Sequence, residues 1–284
     1  MTASTSTGAA LLRPEQVADL LVKPVLALSL ATRPEVTTVV RTTSTTLRIP
    51  MVNHDPVAAW VVEGAEIAVS DATIAELDVS PSKLAGLTII TNELAADSSP
   101  EAAQVVGDGL ARDIARKLEA AFFGNLAAPA PAGLEALPTT AGNVQTVAAG
   151  TAFADLDPFA EAQALAENVG ATVTAFVANP TDALALATLN GGTALNTPLL
   201  GQDPTQPSRR QILGVPLLVS PAVTAGHVWA LDGSRNYVVL REDATVTVDP
   251  SPFFTSDRTA VRGILRAGLG WAHPAAVVRI TVGA

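Results

Sequence analysis

One long amphipathic helix is the strongest pattern in the chain. Between residues 99 and 123 an apolar side chain recurs at every fourth position, with charged side chains between these positions. This spacing gathers the apolar side chains into one stripe along a helix. Ser98 and Pro100 are typical of a helix start, and Gly124 is typical of a stop. The pattern predicts a spine helix whose core stripe is Val106, Leu110, Ile114, Leu118 and Phe122.

The chain before this helix predicts mostly extended structure. Residues 14–21 form a short helix candidate, whereas residues 25–30 and 36–49 are rich in Val and Thr and favour extended chain. Residues 56–79 contain three short apolar stretches that predict a ribbon of strands. Residues 83–91 predict a strand buried on both faces. Because an isolated ribbon is marginal in water, the ribbon needs a surface to lie on.

After the spine helix the pattern predicts a compact α/β lobe followed by strands. A patternless loop is expected at 125–152, and a helix, a strand and a helix follow at 154–169, 172–178 and 182–189. A second long loop is expected at 190–211. The remaining predicted strands are 212–220, 227–231, 237–240, 244–248, 253–271 and 277–282. These elements predict an α+β fold.

Composition narrows the function classes. Apolar residues make up 48% of the 284 residues and charged residues only 15%, below the usual quarter. Partner subunits could cover the weakly charged surface, or abundant Ala could explain the composition without any patch. The absence of cysteine excludes disulfides, thiolate metal sites and cysteine catalysis. No apolar run approaches twenty residues and the first residues lack a secretory pattern, so neither a membrane span nor a secretory signal is expected.

Charge is distributed unevenly along the chain. The net charge of −10 argues against simple nucleic-acid binding. Residues 49–97 carry eight acidic and one basic side chain, a net charge of −7, and residues 207–284 carry five acidic and eight basic side chains, net +3. These segments could attract each other, within one chain or between copies. A random scatter of surface charge stays an alternative for either segment.

Motifs for catalysis and cofactors are weak. Gly107 and Gly109 fall inside the predicted helix and do not form a phosphate-binding loop, and no G-x-S-x-G nucleophile motif occurs. His54, His227 and His273 are far apart in the chain and favour structural or solvent roles. The acidic pair at 155 and 157 favours helix capping over a calcium loop. We therefore expect no catalytic, cofactor or metal site, and a soluble α/β enzyme with an unrecognised site is the rival from another class.

Short motifs in a fixed order carry a resemblance to a known family. They are AWVVEGA at 59–65, PSKLAGL at 81–87, ITNEL at 90–94, and AFFG at the end of the spine helix; ILGVPL at 212–217 and the strand at 243–248 follow. In this order and spacing, the sequence resembles the major capsid proteins of tailed bacteriophages, those with the Hong Kong 97-like fold. The resemblance covers residues 35–284.

The resemblance implies an α+β, Hong Kong 97-like fold with an N-terminal arm, an extended β-loop, a peripheral domain built on the spine helix, and an axial α/β domain. The implied boundaries are the arm at 1–48, the extended loop at 49–82, the peripheral domain at 83–139 with the spine at 99–123, the axial domain at 140–240, and peripheral return strands at 241–284.

The implied function is self-assembly as hexamers and pentamers into an icosahedral shell around double-stranded DNA. The chain would be a non-enzymatic part of the virion capsid, assembled in the host bacterial cytoplasm, without sequence-specific DNA binding and without a membrane. The implied partners are further copies of the chain, a portal, a scaffolding protein and a cementing protein. The scaffolding protein is expected to be separate because only a few dozen residues precede the match. An encapsulin-like shell around enzyme cargo has the same fold and is the alternative.

The extended loop is the implied contact with a neighbouring subunit. Its candidate interface residues are Trp60, Glu63, Glu66, Asp71 and Glu76, and the candidate basic partners on the next copy are Arg258, Arg262 and Arg266. Some members of this family cross-link through a lysine in the loop. Here the lysines are at 23, 83 and 117, outside the loop, so we expect a non-covalent contact.

Overall fold

The structure is a computed structural model that describes residues 23–54, 58–64, 66, 68–71, 73–91, 101–140, 142–192, 195–198, 200, 210–249 and 251–283. The helix expected at 14–21 lies outside these residues. The described residues form a four-stranded and a six-stranded sheet with helices packed against them, and two further two-stranded pairs.

The helices are α1 (Lys23–Leu28), α2 (Glu101–Phe123), α3 (Asp157–Asn168) and α4 (Pro180–Ala187), and short 3-10 helices lie at Leu30–Thr32, Leu134–Ala136, Ser251–Ser256 and Pro274–Ala276. The strands are β1 (Thr38–Thr42), β2 (Leu47–His54), β3 (Thr73–Val79), β4 (Ser82–Thr91), β5 (Gln145–Ala148), β6 (Ala175–Ala178), β7 (Asn190–Gly192), β8 (Leu195–Pro198), β9 (Gln211–Ile212), β10 (Val215–Val219), β11 (His227–Leu231), β12 (Asn236–Asp249), β13 (Arg258–Trp271) and β14 (Val278–Thr281).

The first sheet has the order β1-β12-β13-β4 and carries α2 on one face. Only β1 and β12 run parallel. On α2, Ile114, Leu118 and Phe122 are buried in the core, and Leu110 packs half-buried beside them. Val106 belongs to the first two turns of the helix, where the side chains lie outside the described part of the structure. The helix therefore turns its apolar stripe toward the sheet, as expected of an amphipathic helix.

A pair of glycines lets the helix approach the sheet closely. Gly86 on β4 and Gly263 on β13 are register partners, and both face Leu110. A Cβ atom at Gly86 would lie 2.3 Å from Leu110 Cδ1, and one at Gly263 would lie 2.8 Å from Leu110 Cδ2. Leu110 therefore fills the space that side chains at positions 86 and 263 would occupy. The two glycines thus set the distance at which α2 packs on the sheet.

The second sheet has the order β5-β14-β11-β6-β10-β9 and is buried on both faces. Alternate residues of β6 point in opposite directions, so Ala175 and Val177 join the core around α2, whereas Phe176 joins the core under α3 and α4. There the rings of Phe159 and Phe176 meet edge to face, with centroids 5.1 Å apart. At the start of α4 the Asn179 side chain accepts a hydrogen bond from Thr181 N–H, as an N-cap.

The strands β2 and β3 form a two-stranded ribbon that projects from the first sheet. Pro50 sits within β2, which a two-stranded ribbon tolerates because each strand is an edge. At the base of the ribbon Val79 is 2% exposed and packs over Gly268 and Gly270. Farther out Ile74 is 68% exposed. The ribbon is therefore anchored at one end and exposed along the outer face of β3.

The expectation of extended chain at 25–30 is wrong. Lys23–Leu28 is a helix, and Pro24 fits its first turn, where the missing N–H costs nothing. Val25, Ala31 and Val36 are fully buried against the core around α2. Burial of these apolar side chains outweighs the strand propensity of the local sequence, so this segment is part of the core.

Two of the three strands expected at 56–79 are absent from the described residues. Only β3 forms, while residues 58–64 and 68–71 have no regular structure. The side chains at 58–63 are exposed, and strand propensity alone does not hold a strand that has nothing to pack against.

Other local expectations are also corrected. The expected loop at 125–152 contains the 3-10 helix Leu134–Ala136 and the strand β5. The expected loop at 190–211 contains the hairpin β7–β8. The single strand expected at 212–220 is a hairpin, because Leu213 and Gly214 both have positive φ, as in a type I′ turn. The strand β4 alternates between a packed and an exposed face instead of being buried on both.

Some strands pair across the expected domain boundaries, which stay a prediction. β14 falls within the segment expected to return to the peripheral domain, yet it pairs with β5 and β11 in the second sheet. The expected boundary at 240 falls inside β12, which continues to Asp249 as a strand of the first sheet, with a register shift between Arg241 and Thr245. The alternating apolar residues of β14 are buried under α3, and this burial determines its sheet.

Candidate assembly surfaces

The tip of the ribbon exposes apolar and acidic side chains together. Trp60 is fully exposed, and Val62 and Val69 are 82% and 91% exposed. Glu63, Glu66 and Asp71 are also exposed. Between Arg48 and Lys83 the sequence has no Lys or Arg. Large apolar side chains on a projecting acidic segment are typical of a contact surface rather than of a monomer's exterior.

One arginine neutralises part of the acidic ribbon. Arg48 on β2 lies opposite β3, and its guanidinium is 3.3 Å from a Glu76 carboxylate oxygen and 3.2 Å from an Asp78 oxygen. All three side chains are more than half exposed, so each ion pair adds little to stability. Glu76 was expected at an interface, but in the single chain it already has a partner. The other described acidic residues of this segment, Glu63, Glu66 and Asp71, lie nearer the tip.

The second surface is the face of the first sheet that points away from α2. Because Gly86 and Gly263 face the helix, their neighbours on each strand face outward. On β4, Leu87 and Ile89 are 64% and 44% exposed. We call the part of this surface around Leu87 and Ile89 the open face. Near Gly268 and Gly270 the base of the ribbon covers the same side of β13.

A row of arginines lies on the same open face. Arg258 and Arg262 on β13 are exposed, and Arg266 is half-buried. Arg262 is the register partner of Leu87, so a cation lies beside an exposed apolar side chain. The structure therefore brings the three predicted basic residues together on one strand, four residues apart, next to an apolar edge.

One carboxylate lies at the border of this face. Asp249 on β12 pairs in register with Ala260. Hydrogen bonds from the Ser251 hydroxyl and the Ser251 backbone N–H hold the pKa of Asp249 below its ordinary value, and the Arg262 guanidinium acts in the same direction. The carboxylate is therefore ionised at neutral pH, and it moderates the positive charge of the row.

Some polar residues of the interior were missed by sequence reasoning. Glu119, one of the charged residues between the apolar positions of α2, accepts hydrogen bonds from the backbone N–H of Leu30 at 2.5 Å and from the Ser220 hydroxyl at 2.8 Å. Ser220 follows β10 of the second sheet. One carboxylate thus joins the N-terminal segment, α2 and the second sheet. No sequence pattern distinguishes Glu119 from a solvated helix residue, because its partners are distant in the chain.

The side chains of His227 and His273 are half-buried. His227 Nδ1 lies 2.5 Å from a Glu135 oxygen, and Arg279 Nη1 lies 3.3 Å from the other oxygen. This cluster ties the 3-10 helix at 134–136 to β11 and β14. Burial lowers the pKa of His273, and the nearby Arg235 lowers it further. Within the described residues no group of three or more His, Cys, Asp or Glu is placed to hold a metal ion.

A match to a protein-family model decides the family. The model is that of the phage capsid family, and it matches residues 11–282. The chain belongs to the phage capsid family. A comparison with curated proteins by sequence gave no match, so the family rests on the model, which covers nearly the whole chain.

Solved structures show the same fold. The capsid of an empty GTA particle aligns with a TM-score of 0.74 and 19% identity, covering 88% of this chain and 89% of that one. A structure from Microbacterium phage Oxtober96 aligns with a TM-score of 0.71 and 20% identity, covering 89% of this chain and 91% of that one. A structure from Mycobacterium phage Bobi aligns with a TM-score of 0.70 and 17% identity, covering 92% of this chain and 90% of that one.

Membership of the phage capsid family confirms the expected α+β capsid fold and identifies the chain as a capsid shell protein of a virion. The Hong Kong 97-like subdivision into named domains stays a prediction. None of the helices that the structure describes is both long and apolar enough to cross a membrane. The ribbon tip and the open face are thus candidate contacts between shell subunits.

Proposed function

We propose that this chain is a non-enzymatic subunit that self-assembles as hexamers and pentamers into an icosahedral shell enclosing double-stranded DNA. The observation that carries the proposal is the family match over residues 11–282. It is supported by the exposure of the ribbon tip and of the open face in a single copy. The encapsulin-like alternative has the same shell geometry and differs in its cargo.

The proposed contact lays the acidic ribbon of one subunit on the open face of the next. Glu66 and Asp71 would approach Arg258 and Arg262, and exposed apolar residues on both surfaces would be buried together. Exposed ion pairs each contribute little, about 0–1 kcal/mol. Charge would therefore set orientation and salt dependence, apolar burial would supply most of the affinity, and symmetry would repeat the contact around the shell.

In this proposal the ribbon is the extended loop, the first sheet with α2 is the peripheral domain, and the second sheet with α3 and α4 is the axial domain. Residues 1–48 are the proposed arm, and within it α1 packs in the core around α2 and β1 joins the first sheet. A separate scaffolding protein, a portal and a cementing protein would complete assembly in the host bacterial cytoplasm. Because the loop has no lysine, subunits should separate on a denaturing gel. Covalently linked rings on such a gel would contradict the non-covalent contact.

The direct test is to purify the full chain and measure particle mass by size-exclusion chromatography with light scattering, followed by electron microscopy. We expect closed particles of megadalton mass, and DNA inside particles recovered from infected cells. A discrete small oligomer under all assembly conditions would refute the shell. Particles filled with a co-purified enzyme and free of DNA would support the encapsulin-like alternative instead.

Charge reversal tests the contact itself. The variant Glu66→Lys with Asp71→Lys should raise the subunit concentration needed for assembly and reverse its salt dependence, and adding Arg258→Glu with Arg262→Glu should restore both. The matched control is Glu161→Lys with Glu167→Lys, which changes the same number of exposed charges on α3. If the ribbon variant assembles as the control does, with unchanged salt dependence, the contact is wrong.

A further inference from the structure

A pocket opens beside the helix at the edge of the first sheet. It encloses about 380 Å³ between β4, α2 and the loop at 126–131. Leu84, Leu118, Leu126 and Pro131 contribute to its largely apolar lining. This volume lies within the range of about 300–1,000 Å³ that is common for binding pockets. The pocket can therefore admit a large side chain, and its lining favours an apolar one.

Two ammonium groups stand at this pocket. Lys83 from β4 and Lys117 from α2 are exposed, and they are two of the three lysines in the chain. Within the described residues neither forms an ion pair at 4.0 Å or less. An apolar floor with two cations at the rim selects an occupant that has an apolar body and an adjacent carboxylate.

The ribbon tip presents an occupant of this kind. Trp60 is fully exposed, whereas Trp229 and Trp271 are 0% and 8% exposed. Three residues after Trp60 comes Glu63, which is also exposed. An aromatic side chain can bury about 150–250 Å² of surface. Burial of the exposed indole against a partner would therefore contribute a large favourable free energy. In a single copy the indole and the pocket both stay exposed, so a second copy is the partner that can join them.

We propose that Trp60 of one subunit fills the pocket between β4 and α2 of a second copy, with Glu63 beside Lys83 and Lys117. This proposal rests on the proposed shell assembly and adds to it a specific anchor. The acidic ribbon lies on the open face, and its tip reaches past the β4 edge, where Lys83 lies in register with Arg266. The anchor gives the contact a defined register, because one large side chain fits one pocket.

Tryptophan fluorescence tests the anchor without relying on a loss of folding. In free subunits Trp60 should dominate quenching by acrylamide, since the other two tryptophans are buried. In assembled particles this quenching should fall to the level of the Trp60→Phe variant. The Trp60→Ala variant should raise the subunit concentration needed for assembly about tenfold or more. If Trp60 stays as quenchable in particles as in free subunits, the anchor is wrong.

An engineered disulfide locates the partner surface. The chain has no cysteine, so the pair Val62→Cys with Ala130→Cys introduces the only thiols. Two cysteines bridge only when their Cα atoms come within about 7 Å. Mild oxidation of particles should therefore give linked subunits on a non-reducing denaturing gel. The control pair Val62→Cys with Leu184→Cys places the second thiol at an exposed site on α4 and should give none.

The outcomes separate the two proposals. Linked subunits from the pocket pair, with none from the control pair, support the anchor. Particles that form normally but yield no links from the pocket pair overturn the anchor and leave the shell standing. Links within one subunit, seen as a faster-migrating monomer, overturn the second copy as occupant. Failure of the unmodified chain to form any large particle overturns the shell and, with it, the anchor.

Discussion

The two sheets differ in how much of their surface a single chain covers. The second sheet is buried on both faces, between the core around α2 and the core under α3 and α4. The first sheet has α2 on one face, while the other carries exposed Leu87, Ile89 and arginines. A single chain thus covers both faces of the second sheet, whereas the first sheet leaves a surface that a partner can cover. Stability and assembly should therefore respond to mutations in different places.

The largest effect on stability is expected in the core that both sheets share. Phe122 is fully buried and packs against Phe123 and Trp271, with ring centroids 4.9 and 5.0 Å away. Phe122→Ala should lower the free energy of unfolding by about 3–5 kcal/mol, because the lost contacts leave a cavity. Denaturant unfolding of the free subunit measures this change.

The matched variant on the open face is Ile89→Ser, which also removes a large apolar side chain. It should change the free energy of unfolding by no more than about 0.5 kcal/mol, yet raise the concentration needed for assembly. If Ile89→Ser destabilises the free subunit as strongly as Phe122→Ala does, the open face is not a free surface and the contrast between the sheets fails.

A smaller effect is expected where the loop after α2 covers the end of the helix. A Cβ atom at Gly133 would lie 2.1 Å from the carbonyl oxygen of Ala121 and 2.3 Å from that of Gly124. Because these obstacles are backbone atoms, Gly133→Ala should cost about 1–3 kcal/mol of stability, measured by thermal or denaturant unfolding.

The control for this variant is Gly109→Ala on α2, where the nearest atom to an added Cβ is 3.8 Å away. Alanine favours a helix over glycine by about 1 kcal/mol, so this variant should stabilise the subunit. If both glycine variants change the free energy of unfolding equally, the close contact between Gly133 and the end of α2 is wrong.

The smallest effect is a pH dependence. Burial, with Arg235 nearby, lowers the pKa of His273 from 6.5, and the Asp232 carboxylate opposes this only in part. A base with a lowered folded-state pKa binds fewer protons when folded, so its contribution to stability is present above pH 6.5 and is lost as the pH falls toward the folded-state pKa. In His273→Gln the free energy of unfolding should therefore fall less between about pH 7.5 and about pH 5.5 than in the unmodified chain. An identical fall in both proteins would contradict this assignment.

Sequence reasoning succeeded where local pattern and burial agree. The period of the α2 stripe appears in the structure, since it reflects one buried face of the helix. It failed where distant residues decide, as at α1, whose apolar residues are buried against α2, and at the hairpin turn, where Leu213 carries a positive φ that its identity does not signal. The charge count indicated an acidic ribbon but could not show that Arg48 binds Glu76. The pocket with Lys83 and Lys117 was not predicted, because its walls come from three separate segments.

The path of the chain between the sheets has a mechanical consequence. It contributes β1 and β4 to the first sheet, then β5, β6 and β9 to β11 to the second, returns for β12 and β13, and finishes with β14 between β5 and β11. The strands of the two sheets therefore alternate along the chain, and neither sheet is formed by one continuous segment. Each sheet depends on chain segments that also connect strands of the other, so we expect the subunit to unfold as one cooperative unit.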